Sequence, residues 1–186
     1  LHASPFYKDQ VVLYHEQPAR LAEYAATRTV LAPAGCAALA AAGRGRLYTH
    51  QAVAIDVVLA GGHAMICTPT ASGKSLGYAV PTLQMAATDG ESRALYLFPT
   101  KALAQDQQRA LRALANAGST ALFGLSVATY DGDTPQGERS EIRREARVLL
   151  TNPDMLHAAI LPAHGTEWSH VFSRLRLVVV DEAHMY

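Results

Sequence analysis

The string Thr68-Pro-Thr-Ala-Ser-Gly-Lys-Ser75 limits the fold of this chain more than any other feature. An apolar run precedes it at 64–67, and a helical pattern opens at Gly73 and continues to 87. A strand, a tight loop and a helix N-terminus together form a concave anion site, because the loop N–H groups and the helix dipole point at the same place. Gly73 lets the backbone approach a phosphate, Lys74 reaches the β- and γ-phosphates, and the Ser75 hydroxyl can ligate Mg²⁺. Thr70, Ala71 and Ser72 complete the expected cradle. The strict pattern has Gly where Thr68 stands, so a Gly-Lys-Ser helix start that holds no ligand is the alternative.

A second apolar run, 177–180, ends in Asp181-Glu182-Ala183-His184. A buried strand ending in two carboxylates is the Walker B arrangement. Asp181 then holds Mg²⁺ opposite Ser75, and Glu182 orients and polarises the attacking water as general base. Alone, such a pair also reads as a helix N-cap. Combined with the phosphate loop it indicates a nucleoside triphosphatase, with ATP and Mg²⁺ as cofactors and Lys74, Asp181 and Glu182 as catalytic residues. The span from Lys74 to Asp181 leaves room for three further strand–helix units. Apolar runs at 95–98, 125–129 and 148–151 supply the strands, and helical stretches at 101–117, 136–146 and 154–160 alternate with them. Each run is apolar on both faces, as a parallel strand covered on both sides should be. The fold class is therefore α/β, with a mostly parallel sheet under helices on both faces.

Upstream, helices are expected at 18–30, 33–42 and 48–60, with Gly43 and Gly61-Gly62 as stops. Residues 1–45 differ in character and read as a small helical accessory layer; residues 46–186 read as the nucleotide-binding domain. Hydrophobic residues make up 49% of the chain and charged residues 17%, which excludes a disordered chain or a coiled coil. The 16 basic residues balance 16 acidic ones, which excludes a purely electrostatic nucleic-acid clamp or a polybasic membrane patch but leaves room for a local groove. Lysine occurs only at 8, 74 and 101, so Lys74 and Lys101 stand out in an arginine-rich chain. Cys36 and Cys67 have no zinc-ligand spacing and fit reduced intracellular thiols. The longest apolar stretch, 31–43, is too short to span a bilayer, so no membrane partner is expected. Leu1 at the start and Tyr186 just inside a motif point to a piece of a longer protein.

Other strings narrow the class. Pro99-Thr100-Lys101-Ala102-Leu103-Ala104, Thr129-Tyr-Asp-Gly-Asp-Thr134, Thr151-Asn152-Pro153-Asp154 and Tyr48-Thr49-His50-Gln51 resemble motifs Ia and Ib, the Thr-x-Pro-x element and the Q motif of superfamily 2 helicases. The strings Leu95-Tyr-Leu-Phe-Pro-Thr-Lys-Ala-Leu-Ala-Gln-Asp-Gln107, Leu150-Thr-Asn-Pro-Asp-Met-Leu-His157 and Ser4-Pro-Phe-Tyr-Lys-Asp-Gln10, with Ile160-Leu161-Pro162 and Trp168, carry the likeness further. Together they resemble the fungal RecQ-related and bacterial mitomycin-repair DNA helicases. Those are 3′-to-5′ motors with a C-terminal zinc-binding domain.

The resemblance implies a RecA-like first motor lobe of an ATP-dependent DNA helicase, acting in DNA repair. It implies that Gln51 reads adenine and that Thr100, Lys101, Gly132, Thr134, Thr151 and Asn152 line the path of single-stranded DNA. His184 would couple the nucleotide site to a second RecA-like lobe of the same polypeptide, whose arginine finger full hydrolysis requires. The isolated 186 residues are accordingly expected to turn over ATP poorly. Asp131 and Asp133 suit an Asx turn or a grip on a neighbouring Arg better than phosphate. Capping is the alternative for Thr100, and an exposed helix face for Gln51. Trp168 reads as core. Rival readings are an RNA helicase of the same superfamily, a nucleotide-binding scaffold and a small phosphate-loop kinase. Location is expected to be intracellular: nuclear in a eukaryote, cytoplasmic in a bacterium.

Overall fold

The computed structural model describes residues 5, 6, 8, 13, 15, 16, 18, 21–41, 43, 45–69, 72–118 and 122–186. Strand β1 (Tyr24–Ala25) pairs antiparallel with β2 (Leu47–Tyr48), placing Tyr24 opposite Tyr48 and Ala25 opposite Leu47. Helix α1 (Pro33–Ala41) lies between them, and α2 (Thr49–Leu59) follows β2 directly. The helix expected over 18–30 is therefore absent where the chain is described, and tertiary contacts explain why. The N–H of Thr49 donates to the Glu23 carbonyl. The Asp56 carboxylate on α2 accepts the N–H groups of Arg28 and Thr29, each at 2.9 Å. Those bonds hold the Asp56 carboxyl below the usual carboxylate range and pin 23–29 in a non-helical path.

Helix α3 (Leu76–Thr88) leads into β3 (Arg93–Leu97), α4 (Lys101–Gly118), β4 (Val127–Thr129), α5 (Gln136–Glu145) and β5 (Val148–Thr151). A short helical turn α6 (Pro153–Met155), a π turn over Leu156–Ile160 and a 3₁₀ turn over Leu161–Ala163 come next, then α7 (Ser169–Ser173) and β6 (Leu175–Val180). The single helix expected at 154–160 is thus divided into turns of different pitch. Pro162 has no N–H to continue an α ladder.

Strands β3 to β6 form one parallel sheet in the order β4-β5-β3-β6. The period of two sends Ala94, Tyr96 and Phe98 to one face with Val148 and Leu150, where α1, α3 and α4 cover them through Ala34, Leu83, Ala104, Leu111 and Ala115. Leu95 and Leu149 point to the other face and pack on Tyr130, Ile160, Trp168 and Val171. Trp168 is buried and meets Tyr130 edge-on at 4.8 Å, so the expectation that it is core holds. The two-faced burial expected from the apolar runs is met fully in β3 and β5.

Two expectations fail at the sheet's rim. Residues 62–69 carry no strand, and Met65 is 88% exposed. Strand β6 has Val178 and Val180 about half exposed. A strand persists where a neighbour takes its N–H and C=O groups, and β3 is the one strand paired with β6 among the described residues. A cleft of about 560 Å³, lined by Leu59, His63, Met85 and Val178, separates the turn after α2 from β6. An apolar run with no ladder beside it does not become a strand.

Candidate nucleotide and nucleic-acid site

The sheet sends its strand ends, and the loops that follow them, to one edge, as parallel topology requires. At one end of that edge lies the phosphate loop. Gly73 has φ of +76°, in the left-handed region, and a Cβ there would lie 2.8 Å from the Gln51 side-chain nitrogen. Only glycine meets both conditions. The Lys74 ammonium donates to the carbonyls of Thr68 at 2.9 Å and Pro69 at 3.1 Å. Hydroxyls of Thr68 and Ser72 share a hydrogen bond at 2.6 Å. Ser75 precedes the first turn of α3, which begins three residues later than the pattern suggested. Thr70 and Ala71 lie outside the described residues.

Gln51 is not on an exposed face: it is 2% exposed. Its carbonyl oxygen accepts the Tyr48 N–H at 2.9 Å, and its Nε2 donates to the Gly73 carbonyl at 2.7 Å. It therefore braces the phosphate loop from 22 residues upstream. Beside it a cleft of about 320 Å³ is lined by Tyr24, Arg46, Tyr48 and Gln51. The Arg46 guanidinium sits 4.1 Å from the centre of the Tyr24 ring, which stacks on Tyr48 at 5.2 Å.

Asp181 follows β6, its N–H donating to the Leu97 carbonyl at 3.0 Å. Its Oδ2 accepts the Tyr78 hydroxyl at 3.1 Å, which ties the β6 end to α3 and so to the phosphate loop. Burial, then the nearby Asp181 charge, push the Tyr78 hydroxyl pKa far above its ordinary value, so it remains a donor. Glu182 has φ 49° and ψ 44°, a left-handed conformation that costs a non-glycine residue about 1–2 kcal/mol. Strain of this kind collects at functional positions. His184 is exposed, with Nδ1 3.4 Å from a Glu182 carboxylate oxygen. The donors Ser75 and Asp181 are hard oxygens, the type Mg²⁺ selects when substrate phosphates complete its shell. No cluster of three or more His, Cys, Asp or Glu able to hold a metal occurs among the described residues.

At the other end of the edge lie the loops after β3, β4 and β5. Lys101 pairs with Asp133 at 2.6 Å, both exposed, which raises the Lys101 pKa through that hydrogen bond. Gly132 lies beside the Lys101 ammonium. Most polar side chains here are engaged locally. Thr100 Oγ1 accepts the Leu103 N–H at 3.3 Å and Asn152 Oδ1 the Met155 N–H at 2.8 Å, both helix caps. Thr134 Oγ1 accepts the Asp131 N–H at 2.9 Å, and Asp131 Oδ1 the Asp133 N–H at 2.8 Å, the Asx turn expected. Thr151 departs from expectation: it is 2% exposed, and its hydroxyl donates to the Tyr130 carbonyl at 2.7 Å. It supports the surface from below. Helix α5 is not wholly solvated, because Arg139 reaches back to the carbonyls of Thr134 and Asp131.

Sequence reasoning missed Tyr78, Tyr24 and Arg46. The periodicity of α3 marks position 78 as core, and nothing local shows that its hydroxyl meets a residue 103 positions away.

A model of the DEAD/DEAH box helicase family matches residues 48–186. Over all 186 residues the chain is 42% identical to the ATP-dependent helicase HRQ1 of Saccharomyces cerevisiae, spanning 17% of that protein. It is 47% identical over 152 residues to the uncharacterized ATP-dependent helicase YprA of Bacillus subtilis, a match covering 81% of this chain and 20% of that one. The crystal structure of the DUF1998 helicase MrfA bound to DNA and AMPPNP superposes with a TM-score of 0.86 at 44% identity, covering 95% of this chain and 24% of that chain. The fold is that of a RecA-like helicase lobe, and the chain spans about a fifth of the length of these relatives.

Proposed function

The chain belongs to the DEAD/DEAH box helicase family, and on that premise we propose that residues 46–186 are the Mg·ATP-binding motor lobe of a DNA helicase, with residues 1–45 as an accessory layer. One observation carries the reading. The Tyr78–Asp181 hydrogen bond of 3.1 Å brings the phosphate-loop helix and the acidic strand end to one place on the sheet edge. Lys74, Ser75 and the loop N–H groups then hold the triphosphate, with Ser72 and Gly73 as cradle and Gln51 bracing Gly73 beside the cleft that Tyr24 and Tyr48 line. Ser75 and Asp181 would hold Mg²⁺. The cation, when bound, neutralises charge that builds on the phosphoryl oxygens. Glu182 positions and deprotonates the attacking water. His184, exposed next to Glu182, would carry that state to a second lobe of the same polypeptide.

Single-stranded DNA, in this reading, crosses Thr100, Lys101, Gly132, Thr134 and Asn152, held by phosphate contacts that read no base. The DNA bound by MrfA supports DNA as substrate; 3′-to-5′ movement, a repair role and an intracellular setting are what the resemblance to the mitomycin-repair helicases implies. The test is ATP hydrolysis by the full-length protein with no nucleic acid, with single-stranded DNA and with single-stranded RNA, beside Lys74→Ala. Stimulation by DNA that the substitution abolishes is the expected result. Stimulation by RNA alone refutes the DNA assignment, and no hydrolysis under any condition refutes the motor.

A further inference from the structure

The phosphate loop and the Lys101 surface are connected by one side chain that none of the motifs contains. Tyr78 Oη lies 3.1 Å from Asp181 Oδ2 on the β6 end and 3.3 Å from Gln107 Oε1 on α4. The ring is fixed. It meets Tyr96 edge-on at 5.3 Å, and the Tyr78 carbonyl accepts the Thr82 hydroxyl at 2.8 Å and the Tyr96 hydroxyl at 3.4 Å. Asp181 and Gln107 belong to different elements, and α4 is the helix whose first residue, Lys101, pairs with Asp133 across the proposed nucleic-acid surface.

We propose that Tyr78 is a positioning residue that holds the Asp181 carboxylate and links its state to α4 through Gln107. A hydroxyl carries one proton, and here two oxygens compete for it. The charged carboxylate is the stronger acceptor. When Asp181 lends its charge to Mg²⁺ it accepts that proton less strongly, and the Gln107 oxygen gains the share it gives up. The balance between the two bonds therefore differs between the nucleotide-free and Mg·nucleotide states, and α4 registers the difference. Linkage makes the effect reciprocal: nucleic acid that biases α4 alters the hold on Asp181. This inference rests on the Mg·ATP reading above.

The experiment uses the full-length protein as wild type, Tyr78→Phe, Gln107→Leu and the double substitution. Two quantities are measured: the affinity for a fluorescent oligo-dT strand with and without Mg·AMPPNP, and the Mg²⁺ concentration that half-saturates AMPPNP binding. One neutral hydrogen bond accounts for a change of about three- to tenfold. Tyr78→Phe is expected to reduce the nucleotide-dependent change in oligonucleotide affinity by about that factor and to lower the Mg²⁺ requirement, because a bond that Mg²⁺ weakens opposes Mg²⁺ in turn. Gln107→Leu is expected to reduce the first without the second. The double substitution should add nothing to Tyr78→Phe, since both act through one hydroxyl. Gln107→Leu carries the test if Tyr78→Phe lowers the melting temperature. Coupling in the wild type that survives both single substitutions overturns the inference alone, as does a wild type that binds Mg·AMPPNP without coupling to DNA. A wild type with no Mg²⁺-dependent AMPPNP binding overturns the Mg·ATP reading and this inference with it.

Discussion

The two ends of the sheet edge are built differently. At the phosphate-loop end Lys74 bonds within its own loop, but the side chains that brace the site reach far along the chain: Gln51 to Gly73, Tyr78 to Gln107, Tyr78 to Asp181. At the end formed by the loops after β3, β4 and β5 they bond to neighbours two or three residues away: Thr100 to Leu103, Asp131 to Asp133, Thr134 to Asp131, Asn152 to Met155. The first end is a device assembled by the fold. The second is mostly a row of self-capped loops that the fold sets side by side, and Lys101–Asp133 and Thr151–Tyr130 are its long-range exceptions. Side chains at the first end should therefore matter for chemistry more than for stability, and those at the second for both together.

The largest expected effect tests the first half of that contrast. Lys74→Ala should reduce kcat/KM for ATP by about 100-fold or more with little change in melting temperature. Gly73→Ala should lose the same activity and also about 1–2 kcal/mol of stability, because the left-handed backbone and the Gln51 contact both oppose a methyl group. A Gly73→Ala variant as stable as wild type would show the loop to be less constrained than its geometry implies.

Glu182 comes next. Glu182→Gln should slow hydrolysis by about 10²-fold or more with nucleotide still bound. Glu182→Gly should be equally slow but more stable than Glu182→Gln by about 1 kcal/mol, since its φ of 49° suits glycine. Equal melting points for the two would remove the case for strain at this position.

The opposite end is tested by Asn152→Ala. Losing the cap should cost about 1 kcal/mol in chemical denaturation, with oligonucleotide affinity falling alongside. An affinity loss without a stability loss would make Asn152 a direct phosphate contact and blur the contrast. Asp133→Asn should act oppositely. Both partners are exposed, so the pair is weak, and releasing Lys101 should tighten oligonucleotide binding by up to about fivefold. Unchanged affinity would remove Lys101 from the proposed path.

The smallest effect lies away from both ends. Burial, then Arg174, then Arg93, lower the His170 pKa below 6.5. The unfolded chain therefore takes the proton first, and stability fully present above about pH 6.5 declines as pH falls toward the folded-state pKa. His170→Gln should flatten melting temperature between pH 7.5 and 5.5, and only slightly, because His170 is exposed. A strong pH dependence that survives the substitution would assign the titration elsewhere.

The same contrast explains what could be read without coordinates. Strand β5 occupies 148–151 as expected, and α4, α5 and the Asx turn follow from residues close in sequence. The acidic strand end and the phosphate loop were legible because their chemistry requires fixed local spacings. The misreadings were of the opposite kind. Residues 18–30 look helical until Asp56 and β2 claim 23–29, and 64–67 looks like a strand until its missing ladder is noticed. Thr151 resembles a surface ligand in a motif, but Tyr130 takes its hydroxyl. Local pattern cannot report a partner that only the fold supplies.

The half-exposed valines of β6 have a practical consequence. Backbone groups along a strand with an open side are a template for pairing with another molecule. Charge does not oppose such encounters here, because the formal net charge is zero at pH 7 and the isoelectric point is about 7.3. The 186-residue chain handled alone should therefore be least soluble in neutral buffers, and light scattering should rise with protein concentration there. Storage a unit or two away from neutrality, or added arginine, keeps molecules apart long enough for the chemistry of one copy to be measured.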